Sequence, residues 1–150
     1  MSTPAIPYLP TVDDVGALLR ARTKDTFGNE VGTFNANTRP TDVEVAELID
    51  QAAQEVAMFI DTDIPDSANT LASSVVAIDA AMLVELSYWP ETVGTTNSAY
   101  DRYKELFDLK IVQLQAAVTR EELQEGDAVY AGDVQYQFPP MLPDWDTVIW

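Results

Sequence analysis

Apolar positions along the chain fall into four stretches at helical spacing and one at strand spacing. The longest runs from Ser67 to Trp89, SANTLASSVVAIDAAMLVELSYW, between Pro65 and Pro90. On a helix, Leu71, Val75, Ile78, Met82, Leu86 and Trp89 share one side, flanked by Ala72, Val76 and Leu83. Ser73, Ala77, Ala80, Ala81 and Ser87 lie opposite, small enough for a second helix to approach closely. A membrane span is the rival reading. It fails because Asp79 and Glu85 interrupt the run, no Lys or Arg flanks it, and Ala and Ser are frequent. The stretch predicts the central helix of a soluble bundle.

Before it, Thr11 opens a short helix with Asp13 and Asp14 in its first turn and a narrow stripe of Val12, Val15, Leu18 and Leu19. Residues 23–40 break every helical pattern. Gly28-Asn29 and Gly32 are turn residues, so an extended loop or loose hairpin is expected, long enough to be functional. Thr41-Asp42-Val43-Glu44 is a capping box, and Val45, Leu48, Ile49, Ala52, Val56, Phe59 and Ile60 then recur to about Thr62. Asp61 to Asp66 resembles the start of a calcium loop. However, Pro65 takes a ligand position, Asp66 replaces the turn glycine, and Ala72 stands where a bidentate Glu belongs. It reads as a helix–helix turn.

Asn97 or Ser98 caps a last long helix carrying Tyr100, Tyr103, Phe107, Ile111, Leu114 and Val118, with Gly126 as its latest end. The fold class expected is therefore all-α. One short and three long helices form a four-helix bundle-like domain over residues 1–126, with a long 23–40 loop. Residues 127–150 differ in kind. Asp133 to Phe138 alternates apolar and polar until Pro139-Pro140, and Trp145, Val148, Ile149 and Trp150 follow. They predict an extended C-terminal arm that reaches another chain by strand addition and aromatic insertion.

Charge changes the picture more than composition does. The net charge is −17, with 25 acidic and eight basic residues and neither Cys nor His. The missing Cys and His remove thiolate and imidazole chemistry, disulfides and most transition-metal sites, so no metal, cofactor or enzymatic activity is expected. Asp79 and Glu85 could be imagined as an acid–base pair, yet six residues apart on one helix they diverge by about 120°. All cations fall between Arg20 and Arg39 or between Arg102 and Arg120; none lies within residues 41–98. Phosphate binding needs clustered cations, so direct affinity for nucleic acid is not expected. The first residues, MSTPAIPYLP, lack the basic and apolar regions of a secretory signal, which predicts a protein cytosolic where it is made.

Three sequences carry a resemblance: Val12-Asp13-Asp14-Val15-Gly16-Ala17-Leu18-Leu19-Arg20-Ala21-Arg22, Gly28-Asn29-Glu30-Val31-Gly32-Thr33-Phe34, and Thr38-Arg39-Pro40-Thr41. Together with the order of short helix, long loop, three longer helices and arm, they resemble the head-to-tail connector (adaptor) proteins of long-tailed bacteriophages, of the type found in phages of actinobacteria. The likeness covers most of residues 8–126. It implies a structural neck protein of the virion, assembled in the host cytoplasm as a homo-oligomeric ring, usually a dodecamer matching the portal. The ring would join portal to stopper or tail and line the channel through which DNA passes without specific binding.

In family terms the loop and the arm make the subunit and portal contacts. The candidates are Arg22, Lys24, Phe27, Val31, Phe34 and Arg39 in the loop, and Val134, Tyr136, Phe138, Trp145, Ile149 and Trp150 in the arm. Glu44, Glu47 and Glu55 are the acidic candidates for the channel wall, since cations there would hold phosphate. The alternative function is a small acidic inhibitor that mimics DNA, or another interaction module; mimicry accounts for the charge but not for the aromatic tail or the Gly28–Phe34 loop. Asp79 is expected to be buried. With no cation in residues 41–98, it is expected to pair with Arg20 or Arg22 and so pin the first helix to the domain.

Overall fold

The computed structural model describes residues 7–130, with side chains through Gln124. The chain is all-α. Its four helices are α1 (Val12–Leu18), α2 (Asp42–Ile60), α3 (Asn69–Tyr88) and α4 (Ala99–Tyr130). Single 3-10 turns at Arg20–Arg22, Asp66–Ala68 and Pro90–Thr92 lie between them.

Local chemistry sets most of the boundaries. Thr11 and Asp14 close a capping box on α1, and Thr41 and Glu44 do the same on α2. In each box the carboxylate accepts the cap residue's backbone N–H at 2.8 Å. Asp61 ends α2 in the left-handed region at φ 56°. Ser98 rather than Asn97 caps α4, its hydroxyl accepting the Asp101 N–H at 3.1 Å. At its other end α4 runs past Gly126 to Tyr130, beyond the limit expected from sequence. One interior glycine costs only about 1 kcal/mol against alanine, less than a continuing helical ladder can absorb.

The centre of the fold is α3, which packs against α1, α2 and α4. Its small face is as buried as its large one: Ala72, Val75, Val76, Ala80, Ala81 and Val84 are all fully covered. Sandwiching explains why Leu86, expected in the core stripe, is exposed while the alanines opposite are not. Asp66–Tyr88 is long and apolar enough to cross a membrane, yet here its apolar side chains form the core with α2 and α4. From α2 come Val45, Ile49, Ala52, Ala53, Val56 and Ile60; from α4 come Phe107, Ile111, Leu114 and Val118. Phe107 also meets the edge of Phe59 at 5.9 Å between ring centroids. Fully burying a side chain such as Leu114 is worth about 1.5–3 kcal/mol.

A feature absent from the sequence reading lies on the far side of α4. Leu109, Val112 and Leu123 are 58%, 61% and 68% exposed, with Leu106 beside them. Counted around the helix they sit nearly opposite Phe107, Leu114 and Val118. The helix is apolar on two sides, and the described residues cover one.

Candidate functional site

The chain's N-terminal cations converge where α1, the 23–40 loop and the end of α3 meet. The 3-10 turn after α1 sends Arg20 to solvent and Arg22 inward. Arg22 Nε and Nη2 donate to Glu85 Oε1 and Oε2 at 2.8 and 2.9 Å. Glu85 is 0% exposed, and the Arg22 guanidinium lies 4.3 Å from the centre of the Trp89 ring. A two-pronged pair of this kind leaves neither carboxylate oxygen unpartnered in the core.

The expected partnership of Asp79 with Arg20 or Arg22 is therefore corrected. Asp79 is buried at 4% exposure, but no cation reaches it and its Oδ2 has no hydrogen-bond partner. Burial, with the nearby negative charge of Glu55, pushes its pKa up to about 7. The reason is positional. Glu85 sits almost two turns nearer the end of α3, level with the turn that carries Arg22, and Asp79 faces α2 instead. Glu85 fits the same charge census, since the missing cations of residues 41–98 constrain both carboxylates equally.

The 23–40 segment is a loop whose parts are tied down. It forms isolated antiparallel bridges, Lys24 with Glu30 and Asp25 with Thr38. Thr23 is buried, its hydroxyl donating to the Arg20 carbonyl at 2.8 Å, and its own carbonyl accepts the Val31 N–H at 2.8 Å. Thr38 is buried as well; its hydroxyl lies within bonding distance of the Asn35 and Pro40 carbonyls and accepts the Asn35 N–H. The Thr33 hydroxyl bonds Asp13 of α1.

At the tip, the Asp25 carboxylate accepts the Phe27 and Asn29 N–H groups at 2.9 and 2.8 Å and the Asn29 side-chain amide at 3.0 Å. These bonds, the Asn29 side chain foremost, hold the Asp25 carboxyl below the usual range. Gly28 takes a φ of +85°, which L side chains rarely adopt, and Phe27 beside it is left 87% exposed.

The two phenylalanines nominated as contacts thus separate. Phe27 projects, whereas Phe34 is 3% exposed and packs beside Gly16 in the core, so it is corrected from partner residue to core residue. Arg22 is committed to Glu85 but still faces the cleft below. Lys24, Val31 and Arg39 are exposed. Of the acidic candidates, Glu44 and Glu47 are exposed, while Glu55 is half-buried and accepts Gln51 Nε2 at 2.9 Å. The Thr41 backbone N–H and hydroxyl hold the Glu44 carboxyl below the usual range. Val134, Tyr136, Phe138, Trp145, Ile149 and Trp150 lie outside the described residues.

Between the loop and the end of α3 lies an open cleft of about 530 Å³, lined by Ala21, Arg22, Lys24, Asp25, Arg39, Ser87, Tyr88 and Trp89. Three of the chain's eight cations share it with two aromatic rings. Among the described residues neither Lys24 nor Arg39 makes an ion pair. Chemically the cleft suits an anionic group carried next to an aromatic one. Among the described residues no group of acidic side chains is arranged to hold a metal ion. Comparisons with protein-family profiles, with curated proteins and with solved structures return no match to this chain.

Proposed function

We propose that the chain is a structural neck protein of a tailed-phage virion, a head-to-tail connector that assembles as a ring beneath the portal and works without catalysis. The observation that supports this best is the second apolar face of α4, Leu109, Val112 and Leu123, on a chain whose own helices already cover the first. An exposed stripe on a helix of this length is the signature of a surface meant for another protein. Phe27, on its braced turn, adds a second apolar point on the loop. Two different patches on one subunit suit head-to-tail contacts, which close into rings.

In this reading the helices form a bundle-like body, and residues 127–150 are an arm that engages the portal or a neighbouring copy. The exposed acids Glu44 and Glu47 of α2 face the DNA channel, where like charge keeps phosphates from adhering. Imaging the purified chain by electron microscopy, alone and mixed with portal, tests the reading. Rings or a cap of density on the portal are expected. A chain that ignores portal and instead inhibits a DNA-processing enzyme would make it an acidic DNA mimic.

A further inference from the structure

The cationic cleft has no role in the reading above, and the same chain carries a segment of matching chemistry. After Arg120 there is no further Lys or Arg, and near the end stands Asp144-Trp145-Asp146, an aromatic ring between two carboxylates. The cleft offers the complement: Lys24 and Arg39 as cations, with Tyr88 and the Arg22-capped Trp89 as apolar surfaces. Elsewhere the surface is dominated by acids, since residues 41–98 have no cation and eleven carboxylates, of which only Asp79 and Glu85 are buried. An acidic segment is repelled from most of this molecule and attracted here.

Chain geometry argues against a segment folding back on its own body. The first turn of α4 lies beside the cleft: Arg102 and Tyr103 share a hollow with Arg22 and Glu85, and the Tyr103 hydroxyl donates to the Leu18 carbonyl. The far part of α4 is marked by the bond from Ser67 to Glu121, and the helix continues to Tyr130. From Arg102 to Tyr130 the helix rises about 42 Å at ~1.5 Å per residue. The fourteen steps from Tyr130 to Asp144 reach roughly 46 Å only if fully stretched at ~3.3 Å each. Pro139, Pro140 and Pro143 fall within that path. A return to the chain's own cleft has almost no slack, whereas the cleft of a copy alongside need not lie a full helix length from the end of α4.

We infer that the Asp144-Trp145-Asp146 segment of one copy docks in the Lys24–Arg39–Trp89 cleft of a neighbouring copy, its carboxylates on the two cations and its indole against Tyr88 and Trp89. The inference rests on the self-assembly in the proposed function but names the lock between copies.

Two experiments decide it. The first uses a fluorescent peptide of residues 141–150 titrated into full-length Asp144→Lys/Asp146→Lys protein, whose own tail no longer competes. Saturable binding is expected, weakened at least tenfold by adding Lys24→Glu and Arg39→Glu and weakened again by raising salt from 0.05 to about 0.5 M. Absence of binding, or binding indifferent to these charge reversals, overturns the cleft. The second exploits the absence of cysteine. Ser87→Cys protein is mixed with Thr147→Cys protein under mild oxidation, and a chain carrying both substitutions is oxidised alone. A disulfide between the two single variants is expected. Closure of the double variant on itself without an intercopy product, or no disulfide at all, overturns docking between neighbours. The two readings fail separately. Rings on portal without peptide capture leave the neck reading and remove the cleft; capture by copies that never assemble on portal does the reverse.

Discussion

Arg22 holds Glu85 with two hydrogen bonds, across 63 positions of sequence, while lying face-on to Trp89. The contact joins the turn after α1 to the last turns of α3 and fixes one wall of the cleft. Removing one partner leaves a charge unpaired at a site built for two, which typically costs 3–5 kcal/mol. Glu85→Ala and Arg22→Ala should each lower the urea midpoint by about that equivalent. Replacing both by Met should recover much of it, because the penalty belongs to the widow and not to the absence of the pair. A double variant no better than the sum of its singles would show the two residues to be energetically independent.

Asp79 predicts the opposite sign. Its folded pKa of about 7 lies above the unfolded value near 3.8, so folding favours the protonated form. Below the unfolded pKa the residue costs nothing. As pH rises through 4 to 7 its contribution is lost, and above 7 the fold holds a buried, unpaired carboxylate. Asp79→Asn should therefore leave stability near pH 4 almost unchanged and raise it at pH 8 by roughly 1–3 kcal/mol. Chemical denaturation at the two pH values measures this. Equal effects at both would mean that Asp79 ionises without penalty.

Phe27 and Phe34 lie seven residues apart in one loop and should behave as opposites. Phe34→Ala empties a core site and should destabilise by about 3–5 kcal/mol. Phe27→Ala should leave the thermal midpoint within a degree or two, yet reduce binding to portal. The two assays, melting and portal co-sedimentation, must dissociate for the assignment to stand.

Leu109 and Val112 test the outer side of α4. Leu109→Glu with Val112→Lys should change monomer stability by less than about 0.5 kcal/mol, as surface substitutions do. Assembly on portal, scored by electron microscopy, should be lost. Intact rings would remove the chief support for the proposed function.

The helices were readable because their signals are local. Thr11 with Asp14 and Thr41 with Glu44 are capping boxes in sequence and in space. The apolar spacing of Phe107, Ile111, Leu114 and Val118 gave the buried side of α4. What depends on distant partners was not readable. The small face of α3, Ala80 and Ala81 included, is expected to admit a second helix and is buried. Periodicity cannot say where the coverage ends, so Leu86 falls in the core stripe and yet is exposed. Nor can it tell Phe27 from Phe34, since that difference comes from Gly16. A Cβ at Gly16 would come within 3.3 Å of the Thr33 Cα, tighter than most such contacts, so the glycine lets the loop backbone and Phe34 lie this close without a shift. Arg22 was recognised as a buried-carboxylate partner, but a census of charges along the chain cannot choose between Asp79 and Glu85. The opposite side of α4 carries a weaker periodic signal, because Leu109 and Val112 stand eleven or more positions before Leu123.

The turn that carries Phe27 also bears on the speed of encounter. Its backbone is held by the Asp25 carboxylate before any partner arrives. In the proposed contact the ring would meet its target with little left to order beyond its own rotation, roughly 0.5–1.5 kcal/mol of freedom. Loop folding then adds no step to capture, and the first collision in the right orientation can hold. Asp25→Ala would convert a fast association into a slower one while leaving the final contact the same.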